Sequence, residues 1–392
     1  MEAEDVDALI VYGEHELAGP MPFAPDTYFT NDRPGAIVVL TRDAEPVSLV
    51  WGPGHVLDHI DALRRGDASW IRPENMRVAK HARGLVDLLR ERGLGRAAIG
   101  VIGLEPYPPF HFNPIMPYVL WNSVLRQVPQ ATFKPVWLSF LLRTLAQSAE
   151  ELAVVEYAAV AGQAMATAML AASRPGANEA GIYAAAMAAG HERYIAVPNI
   201  LLASGPEFVS WGPPAWGYRS QSPRVLDSGD VVLAEVSCSH GMREAQVQVA
   251  IALGDVHPDF ERAAEVARAS YAAGLAALRP GRTFAEVCTA MREPVNGSGG
   301  WIVHPLIHGM NPYGAVSSFG GGARGLPEAA AYGLLAEVAT AGHELLLAPG
   351  MTFSLEPNCA FGRRQVRLGG TVAVGADGPI ELTPASVYLR RS

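Results

Sequence analysis

The strongest constraint on the fold is a pair of strand-like runs within residues 231–254, VVLAEVSCSHGMREAQVQVAIALG. Side chains alternate between the two faces of a β-strand, so a hairpin here has two different faces. The polar face carries Glu235, Gln246 and Gln248. The apolar face carries Val232, Ala234, Val236, Val247, Val249 and Ile251. Such a polar face is either wetted by solvent, as in most alternating strands, or it lines a cleft in which its groups find partners.

The length and the pattern of the chain together predict two domains. A chain of 392 residues is too long to fold around a single hydrophobic core of ordinary size. Residues 7–131 alternate short apolar runs with an amphipathic helix at 76–93, as an α/β domain does. Beyond residue 140 long helices alternate with antiparallel strand pairs, which indicates an α+β fold. We expect these helices at residues 148–172, 178–194, 258–279 and 328–347.

Composition excludes several classes of protein. The hydrophobic content of 49% and the charged content of 18% are typical of a well-packed soluble protein. The net charge of −9 contains no dense basic run, so nucleic acid is not expected as a partner. The N-terminal run MEAEDVDALIVYGEHE is acidic where a signal peptide would be basic, and no run of eighteen apolar residues occurs. We therefore expect a cytoplasmic protein without a membrane partner. The three cysteines are scattered, which argues against a disulfide framework or a zinc cluster.

Further polar residues lie in apolar surroundings downstream. His304 and His308 are four residues apart in IVHPLIHGMN. A helical pair at this spacing can bind a metal, but Pro305 and Gly309 disfavour a regular helix, and two isolated histidines are more often structural. Glu356, in MTFSLEPN, is a carboxylate inside an apolar strand. A single polar residue in apolar surroundings carries little weight. Four of them together form a candidate functional site, namely Glu235, Gln246, His308 and Glu356.

The order of these features resembles the creatinase / aminopeptidase P / prolidase family, which has the pita-bread fold. SGPEF and SGDVVLAEV resemble the SGPN and PGD-[apolar]3-D stretches of that family. VHPLIHGMN resembles its HGTGHGIG motif, and LAPGMTFSLEPN resembles LxPGMVFTIEPG. The resemblance covers essentially the whole chain. It implies an α+β protein with a small α/β creatinase-type N-terminal domain (1–140) and a pita-bread catalytic domain (141–392). It also implies a homodimer with the site near the subunit interface.

The resemblance assigns the family's metal ligands position by position. The peptidases of this family bind two divalent metals with Asp, Asp, His, Glu and Glu. These positions fall in turn on Glu235, Gln246, His308, Glu356 and Gly369. A glutamine is a weak, neutral ligand and a glycine has no side chain to offer. Two carboxylates remain where the family uses four, so no dinuclear centre is expected. A single divalent metal at Glu235, His308 and Glu356 is the alternative.

The sequence therefore predicts a metal-independent enzyme without a cofactor. It would hydrolyse a C–N bond of a small substrate, cationic or containing an amide or amidine, as creatinase and ectoine hydrolase do. Proton transfer and a carboxylate clamp are assigned to His308, His304, Glu356 and Glu235. Two alternatives stay open. One is a mononuclear metal-dependent Xaa-Pro-type peptidase, and the other is a non-catalytic pita-bread protein that binds a ligand or peptide.

Further residues are candidates for binding a small-molecule substrate. Aromatic side chains suit a flat or cationic ligand, and arginines suit a carboxylate. Packing roles for the aromatic residues and solvated surface positions for the arginines are the alternatives. The candidates are Gln246, Gln248, Trp211, Trp216, Tyr218, Arg243, Arg363 and Arg33.

Overall fold

A computed structural model describes most of the chain, namely residues 1–14, 24–104, 114–209, 212–303, 305–318, 325–332 and 342–392. The chain forms two compact units, Met1–Arg143 and Thr144–Ser392. The sequence placed the division after residue 140.

The first unit is a mixed sheet with helices. Its strands are β1 Ala8–Tyr12, β2 Ile37–Thr41, β3 Val47–Val50, β4 Met76–Val78, β5 Ala98–Ile102 and β6 Thr132–Pro135, in the order β4-β3-β2-β1-β5-β6. Its helices are α1 Pro25–Thr30, α2 Pro53–Arg65, α3 Ala82–Glu91, α4 Tyr118–Gln127 and α5 Trp137–Thr144, the last ending at the division. The mixed α/β content agrees with the predicted pattern.

The helix predicted at 76–93 begins later than its pattern suggests. Residues 76–78 form the edge strand β4, which pairs in parallel with β3. The helix starts after His81, whose ring nitrogen accepts a hydrogen bond from the backbone nitrogen of Gly84. Sheet pairing between distant residues thus outweighs the local helical pattern in the first turn.

The second unit combines long helices with a largely antiparallel sheet. The helices are α6 Ala149–Ala172, α7 Glu179–His191, α8 Pro258–Ala277 and α9 Phe284–Ser298. The strands are β7 Ala196–Gly205, β8 Val231–His240, β9 Arg243–Ala252, β10 Ile307–Met310, β11 Thr352–Leu355, β12 Asn358–Phe361, β13 Arg364–Arg367, β14 Gly370–Val374, β15 Pro379–Glu381 and β16 Arg390–Arg391. The main sheet has the order β10-β11-β14-β9-β8-β7, while β12 and β13 form a separate hairpin.

Helix α6 covers the apolar face of the β8–β9 hairpin. It begins at the predicted capping box, in which Ser148 and Glu151 exchange hydrogen bonds. A Cβ atom at Gly162 would crowd Cys238 and Val247, so this glycine lets the helix approach the strands closely. The length and composition of α6 would suit a membrane span, yet nearly half of it is buried in the fold, as in a core helix.

The remaining helices differ from the sequence prediction in two respects. Helix α9 was not predicted, although Thr283 and Glu286 form a capping box at its start. The helix predicted at 328–347 overlaps a short 3-10 helix, Pro327–Tyr332, and residues 333–341 lie outside the described part of the chain.

Candidate active site

The polar face of the β8–β9 hairpin is buried. Glu235 is 6% exposed, Gln246 is 0% exposed and Gln248 is 2% exposed. The register sets Glu235 opposite Gln248 and Ser237 opposite Gln246. The side-chain amide of Gln246 donates a hydrogen bond to Oε1 of Glu235. The solvent-wetted alternative for this face is therefore excluded, and the face forms one wall of an internal polar cluster.

A buried histidine–carboxylate pair lies on the same sheet. The antiparallel register of β10 and β11 sets His308 opposite Ser354. Glu356, two residues after Ser354, comes directly after β11. Nε2 of His308 lies 3.0 Å from Oε1 of Glu356. That oxygen also accepts a hydrogen bond of 3.0 Å from the hydroxyl of Ser354. Nδ1 of His308 lies 3.0 Å from the carbonyl oxygen of Gly309. Both ring nitrogens thus face acceptors, which favours the doubly protonated imidazolium.

Arg367, at the end of β13, joins the two carboxylates. Its Nη1 donates hydrogen bonds of 2.9 Å to Oε2 of Glu235 and 3.0 Å to Oε2 of Glu356. Sequence reasoning missed this residue. The available signal was a lone charge in the apolar run QVRLGGTVAV, two residues before Gly369 and thus at the arginine of the family's R-[apolar]-E pattern.

Burial and the neighbouring charges shift the pKa values of the groups in this cluster. Burial, with the charge of Glu356 adding to it, raises the pKa of Glu235 to about 7. Burial alone would lower the pKa of His308, but Glu356 outweighs it and raises that pKa to about 9. Burial would likewise raise the pKa of Glu356, yet His308 and Arg367 hold it below its usual value. The cluster therefore holds a charged imidazolium and a charged carboxylate side by side at neutral pH.

Two more residues border this cluster. Glu244, at 1% exposure, lies on the same face of β9, and burial raises the pKa of its carboxyl to about 7. Its backbone is fixed by Asn311, whose side chain bonds both the nitrogen and the carbonyl oxygen of Glu244. The ring of Tyr313 meets the ring of His308 edge-on, with 4.9 Å between centroids. Neither residue was among the predicted site residues, although the alternation of β9 already sets Glu244 on the polar face of the hairpin.

Several other predicted site residues contact groups outside the cluster, and two lie outside the described part of the chain. Arg243 pairs with Glu151 at the beginning of α6. The ring of Trp216 packs against Tyr183 of α7. Tyr218 is 61% exposed. Arg363 is nearest to Glu328, at 3.6 Å, and Arg33 belongs to the first unit. Trp211 and His304 lie outside the described residues.

The backbone at Gly369 leaves no room for a side chain. Its φ is +99°, a left-handed conformation that favours glycine. A Cβ atom there would overlap the carbonyl oxygen of Leu355. The next residue, Gly370, aligns with both Leu355 of β11 and Val247 of β9. The glycine that replaces the family's last glutamate is therefore built into the turn between β13 and β14.

The fold and this inward-facing cluster define a protein of the pita-bread type with a smaller N-terminal α/β unit. The sequence profile of Metallopeptidase family M24 matches residues 153–376, more than half of the chain. The chain belongs to this family, and the resemblance drawn from its motifs is confirmed.

Known proteins agree with this assignment. The chain is 27% identical over 222 residues to the probable dipeptidase PepE of Mycobacterium tuberculosis, a match covering 53% of this chain and 50% of that protein. It thus spans about half the length of this curated relative. The Xaa-Pro dipeptidase from Bacillus anthracis has a TM-score of 0.72 at 15% identity, covering 100% of this chain and 96% of that one. PepE from Mycobacterium ulcerans has a TM-score of 0.68 at 20% identity, covering 100% and 94%. These structures establish the two-part pita-bread fold.

The comparisons correct the predicted function. The prediction of a metal-independent, creatinase-like enzyme without a cofactor is wrong, because the family is one of metallopeptidases and the relatives are named dipeptidases. The single-metal alternative is closer to these findings. The broader prediction of a hydrolase acting on C–N bonds is confirmed at the level of the family, since peptidases hydrolyse such bonds.

The family's two-metal centre does not fit the described side chains. Gln246 and Gly369 stand at two of its ligand positions, and Arg367 bonds both remaining carboxylates. Among the described residues no three His, Cys, Asp or Glu side chains are arranged to hold a metal ion.

Proposed function

We propose that this chain is a family M24 hydrolase that cleaves the C–N bond of a small peptide, such as a dipeptide or an Xaa-Pro substrate. The observation that carries the proposal is the buried His308–Glu356 pair, 3.0 Å apart, in a chain matched by a metallopeptidase family. The names of the relatives supply the substrate class.

The chemistry assigned to this chain's own residues is proton transfer. Hydrolysis of a peptide bond adds the hydroxyl group of water to the carbonyl carbon and a proton to the departing nitrogen. In this proposal His308 donates that proton, because Glu356 stabilises its imidazolium, and the proton released by the attacking water restores the imidazolium. Glu356 also fixes the ring orientation through Nε2. Glu235 and Glu244 lie on the same buried face of the hairpin, and the ammonium group of a peptide beside them would favour their charged forms.

Turnover of a dipeptide panel tests this function. We expect the purified chain to release free amino acid from at least one dipeptide or Xaa-Pro substrate. Release should rise with added Mn²⁺, Co²⁺ or Zn²⁺ and fall with a chelator, as family membership implies. His308→Gln should abolish release. Glu261→Gln, which alters an exposed pair with Arg391, is the matched control and should leave release unchanged. No release from any dipeptide with any of these metals would contradict the proposal.

A second candidate function is ligand binding without turnover. The loss of carboxylates at Gln246 and Gly369 and the neutralising charge of Arg367 favour it. It predicts that a small peptide raises the melting temperature without being cleaved. It also predicts that His308→Ala retains this binding. Peptide cleavage by the wild-type protein would rule it out.

Assembly and location complete the proposal. We propose a cytoplasmic homodimer with the site near the subunit interface, by analogy with the family. Light scattering should then give twice the chain mass of 41.7 kDa. Fractionation of the cells that produce the protein should recover it with cytoplasmic proteins. A mass of one chain at micromolar concentration would contradict the dimer.

A further inference from the structure

The first unit contains a cavity of about 710 Å³ that includes none of the residues of the buried cluster. All its described lining residues belong to Met1–Arg143. They come from the 3-10 helix Glu2–Glu4, from β1 and β5, from the turn after β2, and from α5 with the residue before it. A cavity of this volume falls within the range of small-molecule sites, about 300–1,000 Å³.

The inner wall of this cavity is apolar. It is formed by Leu9, Ile102, Val136 and Phe140. Ile102 and Val136 are buried, and the ring of Phe140 is held by three aromatic neighbours at 5.4–6.1 Å between ring centroids. A Cβ atom at Gly100 would crowd Leu9 and Val136, so the glycine gives these two side chains their place on the sheet. This fixed apolar surface favours an apolar group of a ligand over water.

Two guanidinium groups lie at the rim. Nη2 of Arg42 donates a hydrogen bond of 3.1 Å to the carbonyl oxygen of Val6, which fixes the group beside the cavity. Arg143 lines the cavity from the end of α5, and its side chain is exposed. Arginine is well suited to binding a carboxylate, because its donors match the two oxygens.

The rim also carries carboxylates. Glu4 is engaged by Lys134, whose Nζ lies 2.5 Å from its Oε2. Glu2 is only weakly paired, because its side chain is 93% exposed and lies 3.8 Å from Arg42. Asp43 lines the cavity as well, next to Arg42 in the chain. A ligand with a single charge would therefore meet a rim charge of its own sign, whereas a ligand with both charges complements the rim.

We propose that this cavity binds a short zwitterionic peptide with apolar side chains. The carboxylate of the peptide lies toward Arg42 and Arg143, its ammonium group lies toward Glu2 and Asp43, and its side chains pack on the apolar wall. The described lining residues include no histidine and no cysteine, so this is a binding site and not a second catalytic site. The proposal concerns the first unit and does not rest on the proposed peptidase activity.

Calorimetric titration of the full chain with the dipeptide Leu-Leu tests the site. A chelator is present throughout, so that metal-dependent turnover does not contribute heat. We expect Arg143→Gln to bind Leu-Leu about tenfold more weakly than the wild type, because it loses a hydrogen bond between two charged groups. Arg83→Gln is the matched control, since Arg83 is an exposed arginine of the same unit that lies 3.6 Å from Asp87 on α3. It should bind as the wild type does. Equal affinity of Arg143→Gln and the wild type would overturn the proposal.

Capped peptides test the two charges of the ligand separately. N-acetyl-Leu-Leu lacks the ammonium group and Leu-Leu amide lacks the carboxylate. Each should bind the wild type about tenfold more weakly than Leu-Leu, because each leaves rim charges of one sign without a partner. Binding of either capped peptide as tightly as Leu-Leu would overturn the assignment of a zwitterion.

Photo-cross-linking locates the bound peptide in the wild-type chain itself, so the test does not depend on the folding of a variant. Leu-Leu with a diazirine in one side chain is irradiated on the full chain, and the labelled fragments are identified by mass spectrometry. Labels should fall on fragments that contain Leu9 or Phe140. Labels confined to the second unit would overturn the proposal. No turnover is measured, so a catalytically inert protein would give the same result.

Discussion

Glu356→Gln removes one charge from the centre of the buried cluster. In the wild type this carboxylate faces Nη1 of Arg367 and Nε2 of His308, each at 3.0 Å. The variant keeps an acceptor oxygen and the side-chain shape, but both cations lose their shared counter-ion. Breaking a buried ion pair by removing one partner costs about 3–5 kcal/mol. The retained acceptor places the expected loss at the lower end, about 3 kcal/mol.

The loss is measured by urea unfolding and by calorimetry in the presence of a chelator. For a unit the size of Thr144–Ser392, 1 kcal/mol corresponds to roughly 2–4 °C, so we expect the melting temperature to fall by about 6–12 °C. The control is Glu261→Gln, because the pair of Glu261 with Arg391 is exposed and such pairs contribute at most about 1 kcal/mol. A loss below about 1 kcal/mol in Glu356→Gln, equal to that of the control, would refute the reasoning.

Three further predictions address other parts of the site. Gly369→Glu restores the family's glutamate in the sequence, but urea unfolding should show a loss of stability of more than about 1 kcal/mol. The reason is that the φ of +99° at Gly369 and the carbonyl oxygen of Leu355 exclude a side chain. Unchanged stability would contradict this backbone conformation. In the presence of a chelator, stability should fall as the pH rises from 6.5 to 9, because His308 has a folded-state pKa of about 9 against an ordinary value of 6.5. The stabilisation is complete below pH 6.5 and is lost through pH 9, and a His308→Gln variant that keeps the same slope would refute this cause. Glu244→Gln should be more stable than the wild type by about 1–3 kcal/mol at pH 8, because the raised pKa of about 7 makes the ionised form unfavourable in the fold. The difference should vanish near pH 4, and a constant difference across this range would exclude ionisation as its origin.

The sequence predicted the elements whose signal is local. The capping box at Ser148 and Glu151 marks the start of α6, and the alternation at 231–254 marks the hairpin. Both signals depend on residues that lie within a few positions of each other. The motifs around His308 and Glu356 resemble those of the family, and this resemblance predicted the pita-bread fold.

The incorrect functional prediction had an identifiable cause. Gln246 and Gly369 stand where the family has carboxylate ligands, which indicates a weakened metal site. The prediction went one step further and concluded that the enzyme needs no metal. The match to the metallopeptidase family over residues 153–376 overturns that step. Ligand counting alone does not establish the class of chemistry, because the family match extends over residues that are not metal ligands.

The tertiary structure alone decided the partners within the cluster. Whether the polar face of the hairpin was wetted or buried depended on what covered it, and the alternating pattern fits both. The contacts of Arg367 with Glu235 and Glu356 join different strands of the second unit, and no spacing in the sequence specifies them. Helices and hairpins follow from neighbouring residues, whereas ion pairs form through space and depend on where the folded backbone places each charge.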